Sequence, residues 1–217
     1  GIVEFIAPGS VKLNDDLLRQ MFGGWDTPPV RFAGWEDEPQ LEPLRDRARR
    51  LIEEHHDKPI WGWKDPRSSL TLPFWKQLIP DLKVVICLRN PLEVAQSLSR
   101  RNYLSIPFGL KLWYIYQAWA VAASDPAARM ITHYDVHFTK PRAETERLLA
   151  FLSCQVSDEV LDQVSQTCNA RLRHNHARMD LLQAGVPTDV ATLYYDLCAQ
   201  AGPVWQQHFG DEYARPF

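Results

Sequence analysis

Cysteine is sparse and scattered. Cys87, Cys154, Cys168 and Cys198 are the four among 217 residues, and no two form a C-x-x-C pair. That spacing argues against a zinc site and a disulfide framework, and predicts reduced, mostly buried thiols in a cytoplasmic protein. Long hydrophobic runs are also missing. No apolar stretch approaches the ~20 residues that span a bilayer, and no charged-then-apolar leader is read at the start. Positive charge is not in excess: 24 Lys and Arg against 27 Asp and Glu leave a formal charge of −3. This argues against a generally nucleic-acid-binding surface and confines any cationic site to a local patch. Internal repeats and low-complexity segments are lacking, as is the G-x-x-x-x-G-K-[ST] loop of nucleoside triphosphatases. The chain begins at Gly1 rather than at methionine, so a segment upstream is expected.

What is present reads as a globular chain: 45% apolar and 24% charged, long enough for one sizeable domain over 1–217 with a largely helical extension over 157–217. Short apolar runs predict buried strands at PIWGW (59–63), KVVICL (83–88) and ARMITHY (128–134). Helical patterns separate and follow them, at 68–79, 91–101, 108–124 and 140–152. The charged stretch 38–56 reads as a solvated outer helix and 24–39 as a long surface loop. Beyond residue 157, helices are broken at Gly185-Val186-Pro187 and Gly202-Pro203. Strand–helix alternation predicts an α/β fold with a parallel central sheet, crossover helices on its faces and a helical C-terminal part.

Two of the predicted strands end alike. VVICL runs into Arg89, followed by Asn90 as N-cap, Pro91 as first helical residue and Glu93 to complete a capping box. Likewise Trp63 leads to Lys64, then Asp65 as N-cap and Pro66 as first helical residue. Ligands of open α/β sheets bind outside the carboxyl ends of the strands. Two cations there, beside helix N-termini with free N–H groups, make a candidate anion site. Arginine's planar fork suits a phosphate, and Ser97, two turns along the helix, offers a hydroxyl. The plainer reading is that the cations are surface salt-bridge partners and that Asp65 and Asn90 are only caps. The sign of the charge matters as well. A triphosphatase typically ends such a strand on an aspartate that holds magnesium, whereas this one ends on arginine, so a metal-free anion site is expected.

Arg89-Asn90-Pro91 through Val94-Ala95-Gln96-Ser97 resembles the 3′-phosphate motif of sulfotransferases that use 3′-phosphoadenosine-5′-phosphosulfate: an Arg at a strand end and a Ser eight residues later. The likeness is closest to the bacterial family related to the tyrosylprotein and carbohydrate enzymes. Lys64-Asp65-Pro66-Arg67 is similar to the strand-end element whose lysine contacts the transferring sulfuryl group. Gly1 to Glu4 with Lys12-Leu13-Asn14-Asp15 resembles the segment in which related enzymes carry a glutamate base, and His133-Tyr134-Asp135 a later Tyr-Glu-Asp stretch. The similarity fades after about Ser157. One part of the family pattern is absent: the Gly- and Ser/Thr-rich loop that cradles the 5′-phosphosulfate.

The resemblance implies a P-loop-NTPase-like three-layer fold, a metal-free 3′-phosphoadenosine-5′-phosphosulfate cofactor and a small-molecule, carbohydrate or peptide acceptor with no nucleic-acid partner. By it, Arg89 and Ser97 hold the 3′-phosphate and Lys64 neutralises charge between sulfate and leaving group. The base is either Glu4 or Asp65. Arg67 contacts cofactor or acceptor, or forms a salt bridge. Arg171 or Arg173, in the late Arg171-Leu172-Arg173-His174 cluster, closes over the 3′-phosphate or ends a solvated helix. Trp113, Tyr116 and Trp119 share a helix face and read as core or as an acceptor pocket, with Tyr103 and Phe108 as further acceptor-side candidates. A catalytically inactive nucleotide-binding or scaffold module of the same fold is the alternative function.

Overall fold

The strand that ends on Arg89 forms as its sequence suggests. In a computed structural model describing residues 4–5, 7–30, 33–58, 60–167 and 181–210, it is β3 (Val84–Leu88) and pairs in parallel with β4 (Arg129–His133). For Glu4, Phe5, Ala7 and Pro8 only the backbone is described. Register runs from Val84 opposite Arg129 to Leu88 opposite His133. A second parallel pair joins β1 (Glu4–Phe5) to β2 (Trp61–Gly62). Among the described residues the strands thus form two two-stranded parallel sheets, where the sequence predicts one central sheet. β2 is shorter than the 59–63 expected because the chain turns early into the Asp65 turn, while the Trp63 ring packs on Trp75 at 4.7 Å.

The chain divides into two compact units, residues 1–82 with 115–125, and residues 83–114 with 126–217. The first contains α1 (Ala7–Gln20), α2 (Glu42–Glu53) and α3 (Ser68–Leu78). Leu13 and Leu17 of α1, Leu44 and Ala48 of α2, and Phe74 and Trp75 of α3 form its core. Trp35 joins them at 2% exposure, so the stretch 24–39 is not only a surface loop; a short 3-10 turn, Trp35–Asp37, delivers the indole inward. Nor is α2 wholly solvated: Arg47 and Arg49 pair with Asp16, Glu42 and Asp46, while Leu44, Arg45 and Ala48 are buried.

In the second unit, α4 (Pro91–Asn102) follows β3, and α6 (Val136–Thr139) and α7 (Pro141–Leu152) follow β4. Next come α8 (Asp158–Thr167), α9 (Thr188–Cys198) and α10 (Pro203–Phe209), the last two after the Gly185 and Gly202 breaks. Helix α5 is Ile106–Ala123. The core gathers Ile86, Leu88, Ile131, Trp113, Tyr194 and Trp205. His133 is buried among them: its Nδ1 accepts from the Asp135 N–H at 3.2 Å, so Nε2 carries the proton toward the Tyr194 hydroxyl at 3.0 Å. Trp205 stacks on the same imidazole at 3.7 Å.

A buried polar knot ties β4 to α7. Thr132 donates to Glu144, and Arg147 pairs with Glu144 while donating to the Ile131 and Ala201 carbonyls at 2.7 and 3.0 Å. Glu144 is fully buried, a position a carboxylate tolerates only when its oxygens are engaged. Cys87, Cys154 and Cys198 are free thiols, and Cys168 lies outside the described residues. Among the described residues no helix is long and apolar enough to cross a membrane.

Candidate functional site

Arg89 stands where β3 gives way to α4, and local chemistry places it there. Asn90 caps α4: its Oδ1 accepts from the Leu92 and Glu93 N–H groups at 2.9 and 3.3 Å, with Pro91 at the first helical position. Such a cap contributes about 1 kcal/mol. The Arg89 carbonyl accepts from Trp113 Nε1 at 3.0 Å, so Trp113 is a core anchor for this strand end. Arg89 Nε donates to Glu93 Oε2 at 3.0 Å, and its guanidinium carbon lies 4.3 Å from the Tyr134 ring centroid. Its Nη groups have no partner among the described residues, and 24% of the side chain is exposed. Glu93, expected to complete a capping box, thus engages the arginine one turn back.

Ser97 is half-buried on α4, and its hydroxyl makes no hydrogen bond to a described residue. Glu93 and Ser97, four residues apart within α4, share a helix face, and Arg89, which precedes the N-cap, meets that face through its bond to Glu93.

Lys64, in the other unit, is exposed and free of any ion pair among the described residues. Its neighbour Asp65 is the opposite. The Asp65 side chain is 0% exposed; Oδ2 accepts from Asn14 Nδ2 at 2.8 Å, and Oδ1 from the Arg67 N–H at 3.1 Å and Nη1 at 3.0 Å. Arg67 Nε also lies 2.7 Å from Asp15 Oδ1, so Arg67 stands in ion pairs with two carboxylates. Asn14 is the hub the sequence reading missed. Besides Asp65 it donates to Ser68 Oγ at 3.1 Å, and its Oδ1 accepts from Thr71 at 2.7 Å and Trp75 Nε1 at 2.9 Å.

Two expectations are corrected here. Asp65 and Pro66 were expected to cap and open α3, but the helix begins at Ser68. Asp65 instead closes a turn, its side chain taking the Arg67 N–H and its carbonyl the Ser68 N–H at 3.0 Å, which delays the first regular helical bond. The second concerns free helix N–H groups as anion donors. At α4 they are spent on Asn90, with Val94 donating to the Asn90 carbonyl at 3.1 Å; in the first turn of α3, Ser69 and Leu70 donate to the Pro66 and Arg67 carbonyls at 3.0 and 2.8 Å. An anion at these ends would therefore meet side chains rather than free helix N–H groups.

The remaining candidates separate. Glu4 lies in β1, its backbone opposite Trp61; its side chain, like Arg171, Arg173 and His174, is outside what is described. Tyr116 donates to the Trp25 carbonyl at 2.7 Å, and burial holds its phenol well above the ordinary range. Tyr103 ends α4 in the left-handed conformation, φ 58°, with its ring 93% exposed. Phe108, in the first turn of α5, is partly exposed.

No protein-family model matches the chain, and no curated protein does. Among solved structures it is similar to the sulfotransferase domain from the curacin biosynthetic pathway, with 13% identity, a TM-score of 0.54, and 91% of this chain and 97% of that one covered. The fold is sulfotransferase-like. At this identity the likeness speaks to fold, and the chemistry has to be argued from the residues themselves.

Proposed function

We propose that the chain is a sulfotransferase that takes its sulfuryl group from 3′-phosphoadenosine-5′-phosphosulfate and passes it to a hydroxyl or amine acceptor. The observation that supports this best is the strand end at Arg89, whose Nη groups have no partner among the described residues, with the Ser97 hydroxyl, also without one among them, on the α4 face that carries Glu93. That donor set fits a phosphate: a planar cationic fork and a neutral hydroxyl, with no carboxylate left unpaired between them. A sulfotransferase-like fold is consistent with it.

When bound, the cofactor supplies an activated sulfuryl group and leaves as 3′,5′-adenosine bisphosphate. Arg89 and Ser97 hold the 3′-phosphate. Lys64, which has no ion-pair partner among the described residues, offsets charge that develops as the sulfur–oxygen bond to the leaving phosphate breaks. The acceptor's proton needs a base. Asp65 has both oxygens engaged, which favours its structural reading and leaves Glu4 as the base we propose. Arg67, held by Asp65 and Asp15, positions the turn rather than the cofactor. Arg173 closing over the 3′-phosphate, the three-layer P-loop-like architecture, a bacterial cytoplasmic setting and a small-molecule, carbohydrate or peptide acceptor complete the proposal.

The test is a set of thermal melts of the full chain: alone, with 3′,5′-adenosine bisphosphate, and with ATP plus magnesium. A rise in Tm with the bisphosphate alone is expected; equal Tm values in all three rule the proposal out. The occupied helix N–H groups favour one further reading, an inactive nucleotide-binding module. Transfer of labelled sulfate from 3′-phosphoadenosine-5′-phosphosulfate to any acceptor eliminates it.

A further inference from the structure

The guanidinium of Arg89 is braced by two groups that have no part in the transfer chemistry. Glu93 Oε2 takes its Nε–H at 3.0 Å, and the Tyr134 ring covers one face at 4.3 Å. Both braces are themselves fixed. Glu93 has 3% of its side chain exposed and sits one turn into a capped helix. Tyr134 donates its N–H to the Leu88 carbonyl at 2.7 Å, extending the β3–β4 ladder past His133, and its ring packs edge-on against Phe138 at 4.8 Å.

We propose that Glu93 and Tyr134 are positioning residues for Arg89, locking its guanidinium so that the Nη1/Nη2 edge faces a phosphate. This rests on the reading of Arg89 as the 3′-phosphate ligand. A guanidinium has two ways to grip an oxyanion with paired N–H groups: side-on through Nε and one Nη, or end-on through both Nη. With Nε committed to Glu93, only the end-on fork is open. The tyrosine ring attracts the cation through its face and leaves the donors in the guanidinium plane free. A flexible side chain that would otherwise lose rotamer freedom on binding is therefore ordered beforehand. Glu93 lowers the net charge at the strand end, so the gain must come from orientation; that separates this idea from simple charge attraction.

The full chain is titrated with 3′,5′-adenosine bisphosphate and with adenosine 5′-monophosphate, and the ratio of the two affinities isolates the contribution of the 3′-phosphate. The wild type should favour the bisphosphate by about tenfold or more, as expected for one charge-assisted contact. In Glu93→Leu and in Tyr134→Leu the ratio should fall by about threefold or more while the monophosphate affinity holds. Tyr134→Phe, which keeps the ring, should retain the wild-type ratio. If either leucine variant fails to fold, the other carries the test. Unchanged ratios in the folded leucine variants overturn the positioning role and leave Arg89 as ligand. A fall in one alone removes the other residue from the proposal. A wild-type ratio of about one overturns the Arg89 reading itself.

Discussion

Asn14 and Asp65, 51 residues apart in sequence, share a buried hydrogen bond of 2.8 Å. Through it α1 is tied to the turn that carries Lys64, and the same asparagine reaches Thr71 and Trp75 on α3. Replacing Asp65 by Ala takes one acceptor from the fully buried Asn14 Nδ2 and one from the Arg67 guanidinium. The expected cost is about 1–3 kcal/mol, or a Tm lower by about 3–10 °C. An unchanged melting curve would show that Asp65 has no structural part and reopen its case as the base.

Lys64 should behave in the opposite way. With no partner among the described residues, Lys64→Ala is expected to leave Tm within about 1 °C, since exposed substitutions away from contacts cost within about 0.5 kcal/mol. Sulfuryl turnover should fall by about a hundredfold or more, as when one charge-stabilising donor is lost. Turnover at the wild-type level removes Lys64 from the reaction.

His137 sets a pH dependence. Burial holds its imidazole below the ordinary 6.5, with the Glu144 carboxylate opposing and the Arg147 guanidinium adding to that shift. Its Nε2 lies 2.9 Å from Thr132 Oγ1, whose own proton goes to Glu144, so the imidazole is the donor there. A folded value below the unfolded one means that the unfolded chain binds more protons as pH falls. The stabilisation is complete above about 6.5 and is lost as pH drops through the lower folded value. Tm should fall between about pH 7.5 and pH 5.5, and fall less in His137→Gln. Equal falls in both proteins would contradict this.

Gly202 opens α10 at φ 91°, and a Cβ there would meet the Arg147 guanidinium at 2.6 Å. Arg147 has no room to yield, held as it is by Glu144 and the Ile131 and Ala201 carbonyls. Gly202→Ala should therefore cost about 1–3 kcal/mol, with Tm lower by about 3–10 °C. A variant as stable as the wild type would mean that the break relaxes without strain.

How much of this was legible beforehand depends on whether the signal is local. The Asn90-Pro91 start of α4, β3, β4 and the Gly185 and Gly202 breaks are written in neighbouring residues, and the structure places them within a residue or two of expectation. Trp35 reads as loop because a lone aromatic in an irregular stretch has no period to mark it as core. α1 went unread because its first turns are short of apolar residues, and its leucines find their partners only in α2 and α3. Asn14 is a polar residue whose four partners lie 51 to 61 residues away, a relation that no spacing rule encodes. Glu93 reads from sequence as the closing residue of a capping box, and only coordinates show that its carboxylate takes the Arg89 Nε–H instead.

The most direct measurement is calorimetric titration of the wild type and Arg89→Ala with 3′,5′-adenosine bisphosphate. Saturable binding in the wild type and a loss of about tenfold or more in affinity in a folded Arg89→Ala protein are the predicted results. Equal affinity in the two proteins, or no binding by either, would contradict the assignment of this strand end as a phosphate site.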